Sequence, residues 1–138
     1  MVNYIQNSLD MNKQMISATY AERRTFFPFG DKQIIGFLGE TVVENWMQPN
    51  APEDATPITG YQYEGTRQDG GTLMPCEDPS DYGCVTNAII RSRYSESEEL
   101  AIHRHYVNSF EEHQDEWNEY NQFCEEAKVI ARRWLGIE

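Results

Sequence analysis

Positive charge is what this sequence most lacks: 11 Lys and Arg stand against 23 Asp and Glu, giving a net charge of −12 over 138 residues. That balance argues against nucleic acid and anionic membrane surfaces as partners, because phosphate contact needs clustered Lys and Arg. Basic partners, or solubility alone, remain. Long apolar runs are missing too. The longest, Ile34 to Leu38, is broken by Gly36 and falls far short of the roughly 20 residues that cross a bilayer. Cysteine is sparse: Cys76, Cys84 and Cys124 are odd in number and without CxxC spacing, so neither a disulfide framework nor a zinc finger is indicated, and a reducing compartment is the simpler expectation. Met1 is followed by Asn3, Gln6 and Asn7 instead of a basic region and an apolar run, so no secretory signal is expected. No phosphate-binding loop, nucleophile elbow or dinucleotide fingerprint occurs, since Gly36-Phe37-Leu38-Gly39 lacks both the spacing and the lysine. The chain is therefore read as a non-enzyme, with no catalytic residues and no cofactor.

Aromatic residues, at 12%, are plentiful enough to build a core despite a mean hydropathy of −0.71. The strongest local signals lie in the last third. Ser95-Glu96-Ser97-Glu98 has the form of a capping box, which predicts a helix from Glu96. Ser109 with Glu112 repeats the pattern and predicts a second helix from Phe110. Along it Phe110, His113, Trp117, Tyr120, Cys124, Ala127, Ala131 and Trp134 recur at steps of three and four, with Phe123 and Ile130 broadening the stripe. Glu111, Glu112, Asp115, Glu116 and Glu119 precede Lys128, Arg132 and Arg133, the order that suits the helix dipole. A shorter helix, capped by Ser80 or Asp78, carries Val85, Ala88 and Ile89 and ends near Arg93.

The earlier chain is less regular. Asn7-Ser8 can cap a helix with Leu9, Ile16 and Tyr20 on one face. Phe26-Phe27-Pro28-Phe29-Gly30 reads as extended, Gln33 to Leu38 as a strand, and Thr41 to Trp46 as a strand or a short helix. Gln48 to Pro57 contains three prolines and almost no apolar side chain, which marks a linker. Ile58, Tyr61, Tyr63 and Thr66, then Asp69-Gly70-Gly71 and Thr72 to Met74, suggest a β-hairpin. The expected fold is α+β: an extended N-terminal arm over 1–47, a Pro-rich linker over 48–57, and over 58–138 a short hairpin and a three-helix module with one long amphipathic helix. Phe26, Phe27, Phe29, Ile34, Ile35, Phe37 and Leu38 form a dense apolar group ahead of the linker. With Trp46 they are the expected partner-binding residues of a docking arm, the ordinary alternative being that they complete this chain's own core.

Between Asn87 and Ile102 the residues Ile90, Arg91, Arg93, Tyr94, Ser95, Glu99, Leu100 and Ala101, followed by Arg104, match a pattern of the form xLIRxRYSxxxELAxxR. Trp117-Asn118-Glu119-Tyr120, Phe123, Glu125, Glu126 and Lys128 match a following EYxxFxEExK helix, and Asp69-Gly70-Gly71-Thr72 looks like the short β segment ahead of it. On these residues the second half of the chain resembles small accessory proteins of bacteriophages and prophages, often encoded near tail-fibre or tail-tip genes. The resemblance implies a virion or assembly protein that docks on a larger phage structural protein, in several copies within a symmetric assembly, located in the virion or the bacterial host cytoplasm. It brings no catalytic residue. An acidic inhibitor using Glu111 to Glu119 against a basic host surface is the alternative.

His103 and His105, two apart on a helix, point about 200° away from each other and cannot share an ion. His113 can approach His103 across the helical pair, with Cys124 or Glu99 completing a metal site of a small metal-dependent enzyme. A core-edge histidine with one hydrogen-bond partner is the commoner outcome for such a residue, and an inert core thiol for Cys124, so no metal ligands are expected.

Overall fold

The structure, a computed structural model, describes residues 15–137. Among these residues there are six strands and three helices, in the order β1 (Ile16–Tyr20), β2 (Phe26–Pro28), β3 (Gln33–Gly36), β4 (Thr41–Trp46), β5 (Ile58–Gly65), β6 (Thr72–Pro75), α1 (Tyr82–Arg91), α2 (Glu96–Asn108) and α3 (Gln114–Leu135). The strands form two antiparallel sheets, β1-β5-β4 and β2-β3-β6. The fold is thus α+β with a long C-terminal helix, as expected. The chain divides into two compact units, one of residues 15–27 with Ile35–Leu73, the other of Pro28–Ile34 with 74–137.

In the first unit β5 is central. It pairs with β1 in the register Ile16↔Gly65 to Tyr20↔Tyr61, and with β4 through Thr41↔Gln62 and Trp46↔Ile58. Ile16–Tyr20, expected to end a helix, is a strand because its β-branched and aromatic residues find a partner in β5; tertiary pairing overrides a weak helical stripe. The remainder of that expected helix, through residue 14, lies outside the described residues. The register of β4 shifts between Val43 and Trp46, where Asn45 takes a positive φ of 56° and forms a bulge. The bulge lays Trp46 over Gly60, so closely that a Cβ there would meet the indole at 2.8 Å. Residues 48–57, expected as a linker, connect these neighbouring strands. Two turns, closed by Ala51 N–H to the Gln48 carbonyl and Ala55 N–H to the Pro52 carbonyl, shape the connection. The boundary read at this segment therefore does not divide the chain, and the described part of the expected arm, residues 15–47, carries the sheet strands β1 to β4 instead of forming a free arm. The expected hairpin also separates: β5 and β6 belong to different sheets, although the turn between them closes through Gly70 N–H to the Arg67 carbonyl.

The core of this unit is aromatic. Phe37 and Tyr63 meet edge to face at 5.6 Å between ring centroids, Tyr20 approaches Phe37 at 5.8 Å, and Ile35 fills the remaining space. Burying Tyr63 requires a partner for its hydroxyl. The hydroxyl donates to Glu40 Oε1 at 2.7 Å and accepts from the Arg24 backbone N–H at 2.8 Å, while Arg23 grips the same carboxylate through Nε and Nη2.

In the second unit α1 buries Val85, Ala88, Ile89 and Ile90 against α3. Ala127 and Ala131, one turn apart on α3, are fully buried, their small side chains allowing close approach. Asp81, not Ser80 or Asp78, caps α1 by accepting Cys84 N–H at 2.9 Å; Asp78 is occupied by Ser80. Gly136, at φ 69°, ends α3, with Ile137 N–H reaching back to the Arg132 carbonyl. Ser95 makes both bonds of the capping box with Glu98, at 3.1 and 2.8 Å. Ser95→Ala should cost about 1 kcal/mol, read as a lower midpoint in denaturation followed by helical circular dichroism. No change would mean that the cap does not hold α2.

The second expected cap does not form. Ser109, at φ −149° and ψ 65°, closes α2 through its own N–H to the His105 carbonyl. Residues 109–113 make a turn, and α3 starts at Gln114 instead of Phe110. Phe110, placed edge-on to Tyr106 at 5.2 Å, is exposed and outside the buried stripe, which holds from Trp117 to Trp134.

Candidate functional site

The eight residues expected to bind a partner have separate fates. Ile34, Ile35 and Phe37 are at most 1% exposed, so they are core and cannot be a docking surface. Consecutive burial along β3 reflects a strand covered on both faces, which reads as an unbroken apolar run. Phe26, Leu38 and Trp46 are half-buried, Trp46 against Gly60. Phe27 and Phe29 remain exposed, at 36% and 41%.

A larger apolar display occurs on α2, which the sequence reading passed over. Only Ile102 of this helix is buried, whereas Leu100 is 64% exposed and Val107 80%. Seven residues apart, these two lie on one face two turns apart. The flanking Glu96, Glu98, Glu111 and Glu112 are exposed, as are Asp115, Glu116 and Glu119 at the start of α3.

Between α2 and α3 lies a polar and aromatic junction. Glu99 accepts from Arg91 Nη2 at 2.8 Å and from the Tyr120 hydroxyl. Burial pulls the Glu99 carboxyl upward, but the Tyr120 and Arg91 donors outweigh it and hold the group below the usual carboxylate range. Burial, then the Glu99 bond, raises the Tyr120 phenol. His103 meets Trp117 and Tyr120 edge-on, at 5.0 and 5.7 Å. It is not the histidine that approaches His113.

His105 takes that place. It sits in the last turn of α2, and the 109–113 turn returns the chain so that the His105 and His113 rings stack at 4.5 Å and 21°. Glu116, three residues beyond His113 and so on the same side of the helix, places Oε1 2.9 Å from His105 Nδ1. The donor atoms of His105, His113 and Glu116 all lie within 4.8 Å of one another. Metal ligands are not expected from the sequence, and the pairing it offers as the less common outcome, His113 with His103, does not occur: His113 meets His105, in a His-His-Glu cluster at the turn. The sequence signal at Ser109 points the other way: starting α3 at Phe110 pairs the wrong turns, whereas its start at Gln114 brings the end of α2 to the start of α3.

Among the described residues no helix is long and apolar enough to cross a membrane. Compared with family models, with curated proteins and with solved structures, the chain finds no match.

Proposed function

We propose that this chain is a non-enzymatic component of a bacteriophage particle or of its assembly, belonging to the tail region and docking on a larger phage structural protein. The observation that carries the reading is the exposed pair Leu100 and Val107. Two aliphatic side chains at i and i+7 on one helix face have the spacing of a helix that seats in an apolar groove. Exposed Glu96, Glu98, Glu111 and Glu112 nearby, on a chain of net charge −12, fit a groove with a basic rim. Leu100 also belongs to the segment that resembles the phage accessory proteins. Mass spectrometry of purified particles from the phage or prophage encoding this chain should detect it. The double variant Leu100→Glu/Val107→Glu should keep its helical circular dichroism yet be lost from particles, because the anchors of such contacts tolerate buried charge poorly. Particles without the wild-type chain would overturn a virion role. Full retention of the double variant would move docking to the first half of the chain, where Phe27 and Phe29 remain exposed.

A second reading rests on the five exposed carboxylates Glu111, Glu112, Asp115, Glu116 and Glu119: an acidic inhibitor of a basic host protein. Ionic strength separates the two. Binding through carboxylates weakens steeply from low to moderate salt, whereas seating of Leu100 and Val107 does not.

A further inference from the structure

We propose that His105, His113 and Glu116 form a binding site for one divalent transition cation of the zinc class, which clamps the end of α2 to the start of α3. Two imidazoles and a carboxylate are the donor set that suits zinc, nickel or copper, and three protein donors leave a fourth position for water. Calcium and magnesium prefer all-oxygen shells and fit poorly. A zinc ion with bonds of about 2.0 to 2.2 Å brings tetrahedral donors to about 3.3 to 3.6 Å apart. His105 Nδ1 and Glu116 Oε1 are already at 2.9 Å, and the widest separation in the cluster is no more than 4.8 Å. Closing that gap needs only side-chain rotation, which is open to these residues: the side chains of His105 and Glu116 are 45% and 40% exposed, and His113 is half-buried.

The surroundings favour a cation. Glu111, Glu112, Asp115 and Glu119 are neighbours in sequence and exposed, and their negative charge offsets the positive end of the α3 dipole at His113. The structure of the turn also leaves a task for the ion. His113 occupies the N-cap position of α3 without making a side-chain cap bond, and the 109–113 segment is held by backbone bonds such as Glu112 N–H to the Ser109 carbonyl. Ligation would join His105 on one helix to His113 and Glu116 on the next, fixing the return of the chain. The ion replaces the His105–Glu116 hydrogen bond: both imidazoles bind in their neutral form, so uptake releases any proton they carry.

The three cysteines are free thiols and supply an internal control, since they are the competing soft donors. Full-length protein titrated with Co²⁺ or Zn²⁺ alone should bind one equivalent in calorimetry. The cobalt complex should show visible ligand-field bands without a sulfur-to-cobalt charge-transfer band. His105→Ala and His113→Ala should each weaken binding by about tenfold or more, whereas His103→Gln, two residues from His105 but turned toward Trp117, should leave it unchanged. Circular dichroism of each variant, taken before titration, separates loss of a ligand from loss of the fold. The proposal is overturned by no binding at millimolar metal, by undiminished binding in both His105 and His113 variants, or by a thiolate charge-transfer band.

Discussion

Phe37→Ala should destabilise the first unit by about 3 to 5 kcal/mol, the range for emptying a fully enclosed aromatic site. Phe37 is 1% exposed, lies edge-on to Tyr20 and Tyr63, contacts Phe27 at 6.3 Å between centroids, and has the Arg24 guanidinium 4.9 Å from its ring centre. Removing it leaves a cavity walled by three rings that cannot all move inward, because Tyr63 is held by Glu40 and Arg24, and Tyr20 by the Asp69 carbonyl. The loss therefore includes a cavity cost as well as the lost transfer energy. Urea unfolding, with exchange protection of the β5 amides as the local readout, measures it. The exposed Phe29 gives the comparison: Phe29→Ala should cost far less. Equal, small effects would return Phe37 to the surface and restore the docking role that its sequence context suggests.

That context explains why Phe37 resembles a surface residue in the sequence and is core in the fold. Phe26 to Leu38 has neither helical nor alternating period, and an apolar run without period is ambiguous between a strand covered on both faces and a patch awaiting a partner. Only the pairing of strands resolves the ambiguity, and pairing is long-range: Tyr63 of β5 faces Ala18 of β1. Local signals fared better. The Ser95 box is written in four consecutive residues and forms as written. The same four-residue pattern at Ser109 fails because the Ser109 backbone ends α2, a role fixed by what precedes it. The stripe from Trp117 to Trp134 survives because eighteen residues of consistent period outweigh an uncertain start. The His105 cluster depends on that start. Moving the beginning of α3 by one turn changes which histidine His113 meets, so the helix start decides which side chains the turn brings together.

Gly65→Ala should be at least as damaging as ordinary overpacking and should reach its upper range, about 3 kcal/mol or more. A Cβ at Gly65 would stand 2.2 Å from the Gly71 carbonyl oxygen, 2.5 Å from its carbon and 2.6 Å from the Gly70 oxygen, all backbone atoms that cannot rotate away. The Gly71 oxygen also accepts the Arg67 N–H at 3.0 Å, and the Gly71 N–H donates to Asp69 Oδ1 at 2.9 Å, so displacing this backbone breaks the turn that follows β5. Gly65 pairs with Ile16, and the damage should spread into the β1–β5 ladder. Gly136→Ala isolates the other penalty that replacing a glycine can bring. It has φ 69° with nothing within 4 Å of an added Cβ, so its cost is conformational, about 1 kcal/mol. Unfolding midpoints of the two variants, with amide exchange along β1 and β5, should rank Gly65→Ala well below Gly136→Ala and should show lost protection at Ala18 and Tyr20, which lie opposite Tyr63 and Tyr61. A Gly65 variant no less stable than the Gly136 variant would mean that the chain reversal between β5 and β6 is looser than a backbone contact of this kind permits, and that the first sheet does not depend on it.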